Sequence, residues 1–339
     1  MSHGDVLVVD DMETNLHVAT SLLKPYGFHI ETAMSGQEAI ALIKAGKVYD
    51  AIFIDHMMPE MDGIEATKHI RDLGYKNPII ALTANAVAVQ ADVFMQNGFD
   101  EFISKPIDIR QLDLVLNNHL PDLQSQGGSE ISCHQAELDD VQEESSLVTA
   151  AVKGLDVSKG IKLHGGDKKT YYTVLRSYAA DARVILERIE KVTDKDIEDY
   201  KLMVHSLKGA SQSLFAEHVG NLAGDLEIAA AENDLEFIKN NNAVFLETAW
   251  ELINDINAFF SAMEEESPKL VKDKPDESML IDLLAACKLY DMNTADKIMD
   301  EIDEFKYDSD DGLSLWLRHN IDVMNYKEID AGLSVLLNL

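Results

Sequence analysis

Cysteine is nearly absent from this chain of 339 residues. Its two copies, Cys133 and Cys287, are too isolated for a disulfide framework or a thiolate zinc site, and a reducing compartment fits best. Proline is scarce at 7 residues and glycine is modest at 18, which excludes collagen-like and low-complexity chains. No apolar run of about 18 residues occurs, and the opening MSHGDVLVVDD lacks the basic flank and apolar stretch of a signal peptide. The expectation is a soluble, cytoplasmic chain that makes no direct membrane contact. Basic side chains are the last shortage: 29 Lys and Arg stand against 61 Asp and Glu, a formal charge of −32. Such an excess of acid repels phosphate backbones and anionic lipid, so nucleic acid is not expected as a partner. What is plentiful is apolar matter, 46% of residues, enough for proper cores in a chain long enough for two or three domains.

Residues 1–121 alternate short apolar runs with amphipathic stretches, the pattern of strands and helices taking turns. Strands are predicted at Val6–Asp10, His29–Ala33, Ala51–Asp55, Ile79–Thr83 and Glu101–Ser104. Met12, Leu16, Ala19 and Leu23 recur at helical spacing before a stop at Gly27, and Ser35 with Glu38 reads as a capping box. Near-continuous apolar strands imply a five-stranded parallel sheet covered on both faces, a doubly wound α/β domain. Residues 122–146, rich in polar and acidic side chains with two adjacent glycines, read as a flexible linker. Residues 147–265 carry long helical periodicity, broken at Gly165–Gly166 and near Thr193–Asp196, and predict an all-helical bundle. A second polar stretch, 266–278, precedes a short acidic module at 279–339 that again reads as all-α. Within it YDMNTADKIMDEI aligns on VMNYKEIDAGLSVL at an offset of 34 residues, either a helix-pair repeat or two similar amphipathic helices. A first strand so near the start leaves almost no leader, as expected of the C-terminal part of something longer.

The strongest chemistry lies at strand ends. Asp10 and Asp11 close the first strand and Asp55 the third, Thr83 ends the fourth, and Lys105 follows the fifth. In an open parallel sheet the carboxyl ends share one rim, so these five residues should converge. Three converging carboxylates repel one another unless a cation sits among them, and an all-oxygen donor set suits Mg²⁺. A hydroxyl and an ammonium beside them are what a transferred phosphoryl group needs around its oxygens. His56 follows Asp55 and reads as a loop residue, since successive residues leaving a strand point to different sides.

VLVVDD, IFIDHMMPEMDG, IIALTANA and FISKPID together resemble the receiver domain of two-component response regulators, over residues 5–120. The resemblance implies a flavodoxin-like fold with Asp55 as phosphoacceptor. It implies Mg²⁺ held by Asp11, Asp55 and the Met57 carbonyl, with Asp10 acting directly or through water. Thr83 and Lys105 would hold the phosphoryl oxygens, Phe102 would be the switch aromatic, and Met57 and Asn85 would flank the site. A cis Lys105–Pro106 bond is implied as well.

In MVHSLKGASQSL, at 100° per residue, Met203, Leu207, Ala210 and Leu214 form one stripe. His205, Lys208, Gly209 and Gln212 gather opposite, so His205 is expected to be exposed, with an ammonium one turn away. A mid-helix glycine costs about 1 kcal/mol against alanine, which suggests close approach to the backbone at Gly209. HSLKGAS resembles the signature of the histidine phosphotransfer (HPt) domain, over about 150–260. It implies that His205 carries phosphate, that Lys208 neutralises it, that Gly209 gives a partner receiver room, and that Gln212 can donate to the phosphoryl group. His164 and His218 read as ordinary surface residues.

No GxxxxGK[ST] loop occurs, and no glycine-rich segment of the kind an ATP lid needs. The preferred reading is a phosphorelay protein that receives phosphate from a histidine kinase and exchanges it with other receiver or HPt proteins, as in the C-terminal part of a hybrid kinase. The alternative is an interaction protein in which phosphate on Asp55 recruits a partner and His205 does not relay. The residues leave the oligomeric state and the use of the terminal module open.

Overall fold

A computed structural model describes residues 4–84, 93–120, 152–190, 196–266, 270–289, 292–322 and 325–337. The predicted linker 122–146 and Asn85 lie outside them. Two compact units divide the chain, Met1–Phe259 and Phe260–Leu339.

The first unit opens with five parallel strands, β1 (Asp5–Val9), β2 (His29–Ala33), β3 (Ala51–Asp55), β4 (Ile79–Thr83) and β5 (Glu101–Ser104), in the order β2-β1-β3-β4-β5. Four strands match the predicted bounds. The first ends one residue early, so Asp10 already belongs to the turn that leaves the sheet. Central β3 and β4 are buried along their whole length, as their unbroken apolar runs require, whereas β2 and β5 at the edges are only partly covered. Because β1, β3, β4 and β5 run in parallel and in register, Asp55 pairs with Leu82 and Thr83 with Ser104, which sets the carboxyl ends along one rim.

Helices α1 (Glu13–Leu23), α2 (Gly36–Lys44), α3 (Gly63–Asp72) and α4 (Ile109–His119) cover the sheet. Three start on their own cap: Ser35 accepts from the Glu38 amide, Asp62 from Glu65, and Asp108 from Arg110 and Gln111. In the predicted capping box Glu38 reaches back to the Met34 amide at 2.8 Å, one residue before the cap. Helix α1 differs, because Met12 stands at its cap position and has no oxygen to offer.

Helices α5 (Val157–Leu163), α6 (Lys168–Ile189), α7 (Ile197–Ser213), α8 (Glu217–Ala231) and α9 (Leu235–Glu266) follow. Tyr171, Tyr178, Leu207, Leu226 and Phe245 are buried among them, and Tyr178 shares a hydrogen bond with Ser211 at 2.9 Å. Gly160 lets α5 sit on Tyr171, since a Cβ there would come within 2.2 Å of the ring.

The second unit holds helices α10 (Glu277–Lys288), α11 (Met292–Asp303), α12 (Leu313–Asp322) and α13 (Tyr326–Leu336) around Leu283, Met299, Leu317, Ile329 and Leu333. To the predicted helices it adds two short parallel strands, β6 (Leu270–Lys272) and β7 (Phe305–Tyr307). β6 lies within the polar stretch SPKLVKDKPDES, whose charge hid it. The aligned segments are helices α11 and α13, whose starts at Met292 and Tyr326 carry the 34-residue offset. Among the described residues no helix is long and apolar enough to cross a membrane.

Candidate functional site

The rim of the sheet gathers the predicted five. Lys105 Nζ donates to Asp10 Oδ2 at 2.6 Å and to Asp55 Oδ2 at 2.8 Å, so one buried ammonium ties two strand ends together. Asp10 Oδ1 also accepts from the Met12 amide and from Asn15. Oxygens of Asp10, Asp11 and Asp55 lie within 4.8 Å of one another. Thr83 is fully buried beside them, and its carbonyl accepts from the Lys105 amide at 2.6 Å. The Lys105–Pro106 bond is cis. Phe102 is half-buried and packs near Phe94 at a centroid distance of 6.3 Å. Met57 presents its amide 3.4 Å from Asp55 Oδ1.

These carboxylates are not equivalent. Burial, only partly offset by Lys105, raises Asp10 to about 6. Burial together with the charges of Asp10 and Asp55 raises Asp11 to about 8. Burial acts on Asp55 too, but Lys105, His56 and His205 outweigh it and hold Asp55 below the usual carboxylate range. Asp11 Oδ1 is buried with no hydrogen-bond partner. A divalent cation fits this donor set, which is all oxygen, overcharged and left with an orphaned lone pair.

His56 lies in the bend after β3, as predicted, but its side chain is not left to solvent. Its ring turns inward, with Nδ1 3.6 Å from Asp55 Oδ1 and 3.3 Å from the Leu82 carbonyl, and packs edge-to-face on Phe94. Its other edge-to-face neighbour is His205, at 5.5 Å and 80°.

His205 is therefore buried, at 3% exposure, where amphipathicity predicts an exposed side chain. The apolar stripe of α7 does face the bundle. The opposite face is covered by the first five strands' domain, so Ser206, Lys208 and Gly209 are buried together with it. Ser206 Oγ donates to Asp11 Oδ2 at 3.2 Å. Lys105 Cδ lies over Gly209, where a Cβ would stand at an ordinary 3.8 Å, so the approach is real but leaves space for alanine. Gln212, two turns beyond His205, packs against Gly220 of α8. His164 is buried too, contrary to its surface reading, and its Nδ1 meets Ser21 Oγ at 2.7 Å, whereas His218 is exposed.

Sequence reasoning missed Glu227 on α8. Its Oε1 stands 2.6 Å from His205 Nδ1, and its Oε2 accepts from Lys208 Nζ at 2.9 Å. Burial pushes this carboxyl up, but hydrogen bonds and charge from His205 and Lys208 bring it down to about 2. An ionised carboxylate only accepts, so Nδ1 carries the ring proton and Nε2 keeps its lone pair in the singly protonated ring. The available signal was a lone acid among the small residues Gly220, Ala223, Gly224 and Ala230 on the inward side of α8.

Residues 6–117 match the response regulator receiver domain model and residues 173–262 match the Hpt domain model. The rice two-component response regulator ORR41 is 37% identical over 114 residues, 33% of this chain and 90% of that protein. Histidine kinase 3 of Arabidopsis thaliana is 37% identical over 129 residues, 32% of this chain and 12% of the kinase. Two-component system protein A of Emericella nidulans is 41% identical over 113 residues, 33% of this chain and 17% of that protein. The chain thus spans a small fraction of the histidine kinases it matches. A Francisella response regulator receiver domain of solved structure is 30% identical, covers 37% of this chain and 98% of its own, and has a TM-score of 0.32. The chain belongs to the response regulator receiver family and carries an Hpt domain behind its receiver, the pairing found in phosphorelay signalling.

Proposed function

We propose that this chain relays phosphate between Asp55 and His205 of the same molecule. The observation that carries the reading is the burial of His205 against the receiver, with nitrogen atoms of His205 and His56 and an oxygen of Asp55 within 4.8 Å of one another. A phosphoryl group on Asp55 is an acyl phosphate. The His205 Nε2 lone pair attacks phosphorus, the bond from phosphorus to the Asp55 oxygen breaks, and the electron pair returns to that carboxylate. The product is a phosphoramidate, and the reverse step regenerates the acyl phosphate. Glu227 holds the Nδ1 proton and offsets the positive charge the ring acquires. Lys105 and Thr83 would hold phosphoryl oxygens, and Lys208 would neutralise phosphate on His205. Asp10, Asp11 and Asp55 would hold Mg²⁺, with the Met57 carbonyl by family resemblance; when bound, the ion neutralises charge on the carboxylates and the phosphoryl oxygens. Phe102 fits the switch position and Gln212 a second contact on the phosphotransfer face.

On this reading residues 1–121 form the receiver, 147–265 the phosphotransfer domain and 279–339 an accessory module, joined by 122–146 and 266–278. Partners are a histidine kinase and other receiver or HPt proteins, and the compartment is the cytoplasm or the cytoplasmic side of a membrane. The test is site mapping by intact and peptide mass after incubation with acetyl phosphate and Mg²⁺, on the native chain, Asp55→Asn and His205→Ala. Label on His205 that vanishes in Asp55→Asn, and forms at a rate independent of protein concentration, is expected. Label confined to Asp55 would leave a phosphorylation-switched interaction protein instead.

A further inference from the structure

Helix α1 begins without a cap of its own, since Met12 stands at the cap position, yet its first turn is satisfied. The oxygen comes from the phosphotransfer half: Asp181 Oδ2, on α6, accepts from the Thr14 amide at 2.9 Å and from Thr14 Oγ1 at 2.8 Å. An acceptor at this place meets both an orphaned amide and the positive end of the helix dipole. Two turns later on the same face, Ser21 Oγ meets His164 Nδ1 at 2.7 Å. Between these keys α1 is almost wholly buried, packed on the sheet side by its own domain and on the other by α6 and α7. The capped receiver helices α2, α3 and α4 each use a residue adjacent in sequence, so among the described helix starts of the receiver the cap from across the interface is particular to α1.

We infer that Asp181 is the positioning residue that seats the receiver on its own phosphotransfer domain, by capping α1 from across the contact. This rests on the in-chain relay reading and adds a consequence. While Asp181 caps α1, His205 is closed to every other receiver, so internal exchange and access from outside compete for one state.

The test uses the full chain carrying Asp181→Ala or Asp181→Asn, because asparagine caps a helix about as well as aspartate and alanine does not. In Asp181→Ala, transfer from phosphorylated Asp55 to His205 should slow about tenfold, as loss of one cap implies. Labelling of Asp55 by acetyl phosphate should stay native. Carbethoxylation of His205 by diethyl pyrocarbonate, followed by peptide mass mapping, should rise several-fold. Asp181→Asn should restore both readouts. A misfolded phosphotransfer domain would not be rescued by asparagine, and Thr14→Val approaches the same contact from the receiver side. Native transfer and native carbethoxylation in Asp181→Ala, or an asparagine variant as impaired as alanine, would overturn the assignment. If the native chain never labels His205, the relay reading fails. Carbethoxylation then still decides: a rise in Asp181→Ala supports the docking surface, and no rise refutes it.

Discussion

On the proposed relay, the nitrogen of His205 left to attack phosphorus is set by one carboxylate 2.6 Å away, on Glu227. Replacing Glu227 with leucine removes the acceptor for Nδ1–H and leaves Lys208 without its counter-charge. Transfer to His205 should fall by about 10- to 100-fold, the usual range for losing such a supporting carboxylate, while acceptance on Asp55 is unchanged. Glu227→Gln retains a carbonyl for Nδ1–H and should fall between the two; single-turnover transfer kinetics check the order, and a leucine variant with native rates would remove Glu227 from the mechanism. Asp11 behaves oppositely, because its buried carboxylate is held against its own preference. Asp10 and Asp11 sit at about 6 and about 8 in the fold, above the ordinary carboxylate value of 3.8. Their contribution is fully present below the unfolded value and is lost as pH rises through the folded values. Without divalent cation, stability should therefore decline between about pH 4 and pH 8. Asp11→Asn should flatten that decline, stabilise the cation-free chain at neutral pH by about 1–3 kcal/mol, and abolish the rise in melting temperature on adding Mg²⁺. Thermal melts across pH with and without Mg²⁺ test all three.

At the scale of the element, the turn after β3 has the least freedom. Gly63 opens α3 with its Cα against the end of that strand, and a Cβ there would lie 2.1 Å from the Asp55 carbonyl and 2.8 Å from His56 Cα. Backbone has to move, not a pliable side-chain tip. Gly63→Ala should destabilise the receiver by about 1–3 kcal/mol, the usual cost of forced overpacking, and slow labelling of Asp55 by acetyl phosphate. Native labelling at native stability would show that the strand end tolerates the shift. The same elements explain what the sequence made legible. Strand bounds at Ala51–Asp55 and Ile79–Thr83 stood out because buried parallel strands are unbroken apolar runs, and the carboxylates at their ends then follow from topology. Glu227 was hidden because a helix pattern ranks an acid as solvent-facing, while this one is held inside by His205 and Lys208 on α7. His205 looked exposed because amphipathicity describes a helix against one partner, and α7 has two. The cap at Thr14 was out of reach of local pattern, since Asp181 is 167 residues away along the chain.

At the scale of the molecule, the two halves of the first unit meet across buried polar groups, and one of them is an imidazole that burial moves away from its ordinary range. His164 faces Ser21 of α1, Asp167 on its own side, and the ring of Tyr171 at 5.9 Å. Burial lowers it to about 4 from the ordinary 6.5, against a small upward pull from Asp167. The imidazole is thus held neutral when docked and binds a proton more readily when released. Its share of docking is complete above about pH 6.5 and is lost as pH falls toward 4; full release to the ordinary value would weaken docking at most about thirtyfold between pH 8 and pH 5. Asp181 acts against this, because burial raises its carboxyl and proton uptake there favours the docked state as pH falls. The opening should therefore be shallow in the native chain and steeper in Asp181→Asn, where the opposing group no longer titrates. In His164→Gln the acid-linked opening should be absent. Small-angle scattering at pH 8 and pH 5, with in-chain transfer measured on the same samples, distinguishes the three. An acid-induced expansion of equal size in His164→Gln would place the proton elsewhere. If the predicted order holds, pH acts on the same equilibrium that decides whether His205 answers to its own receiver or to another.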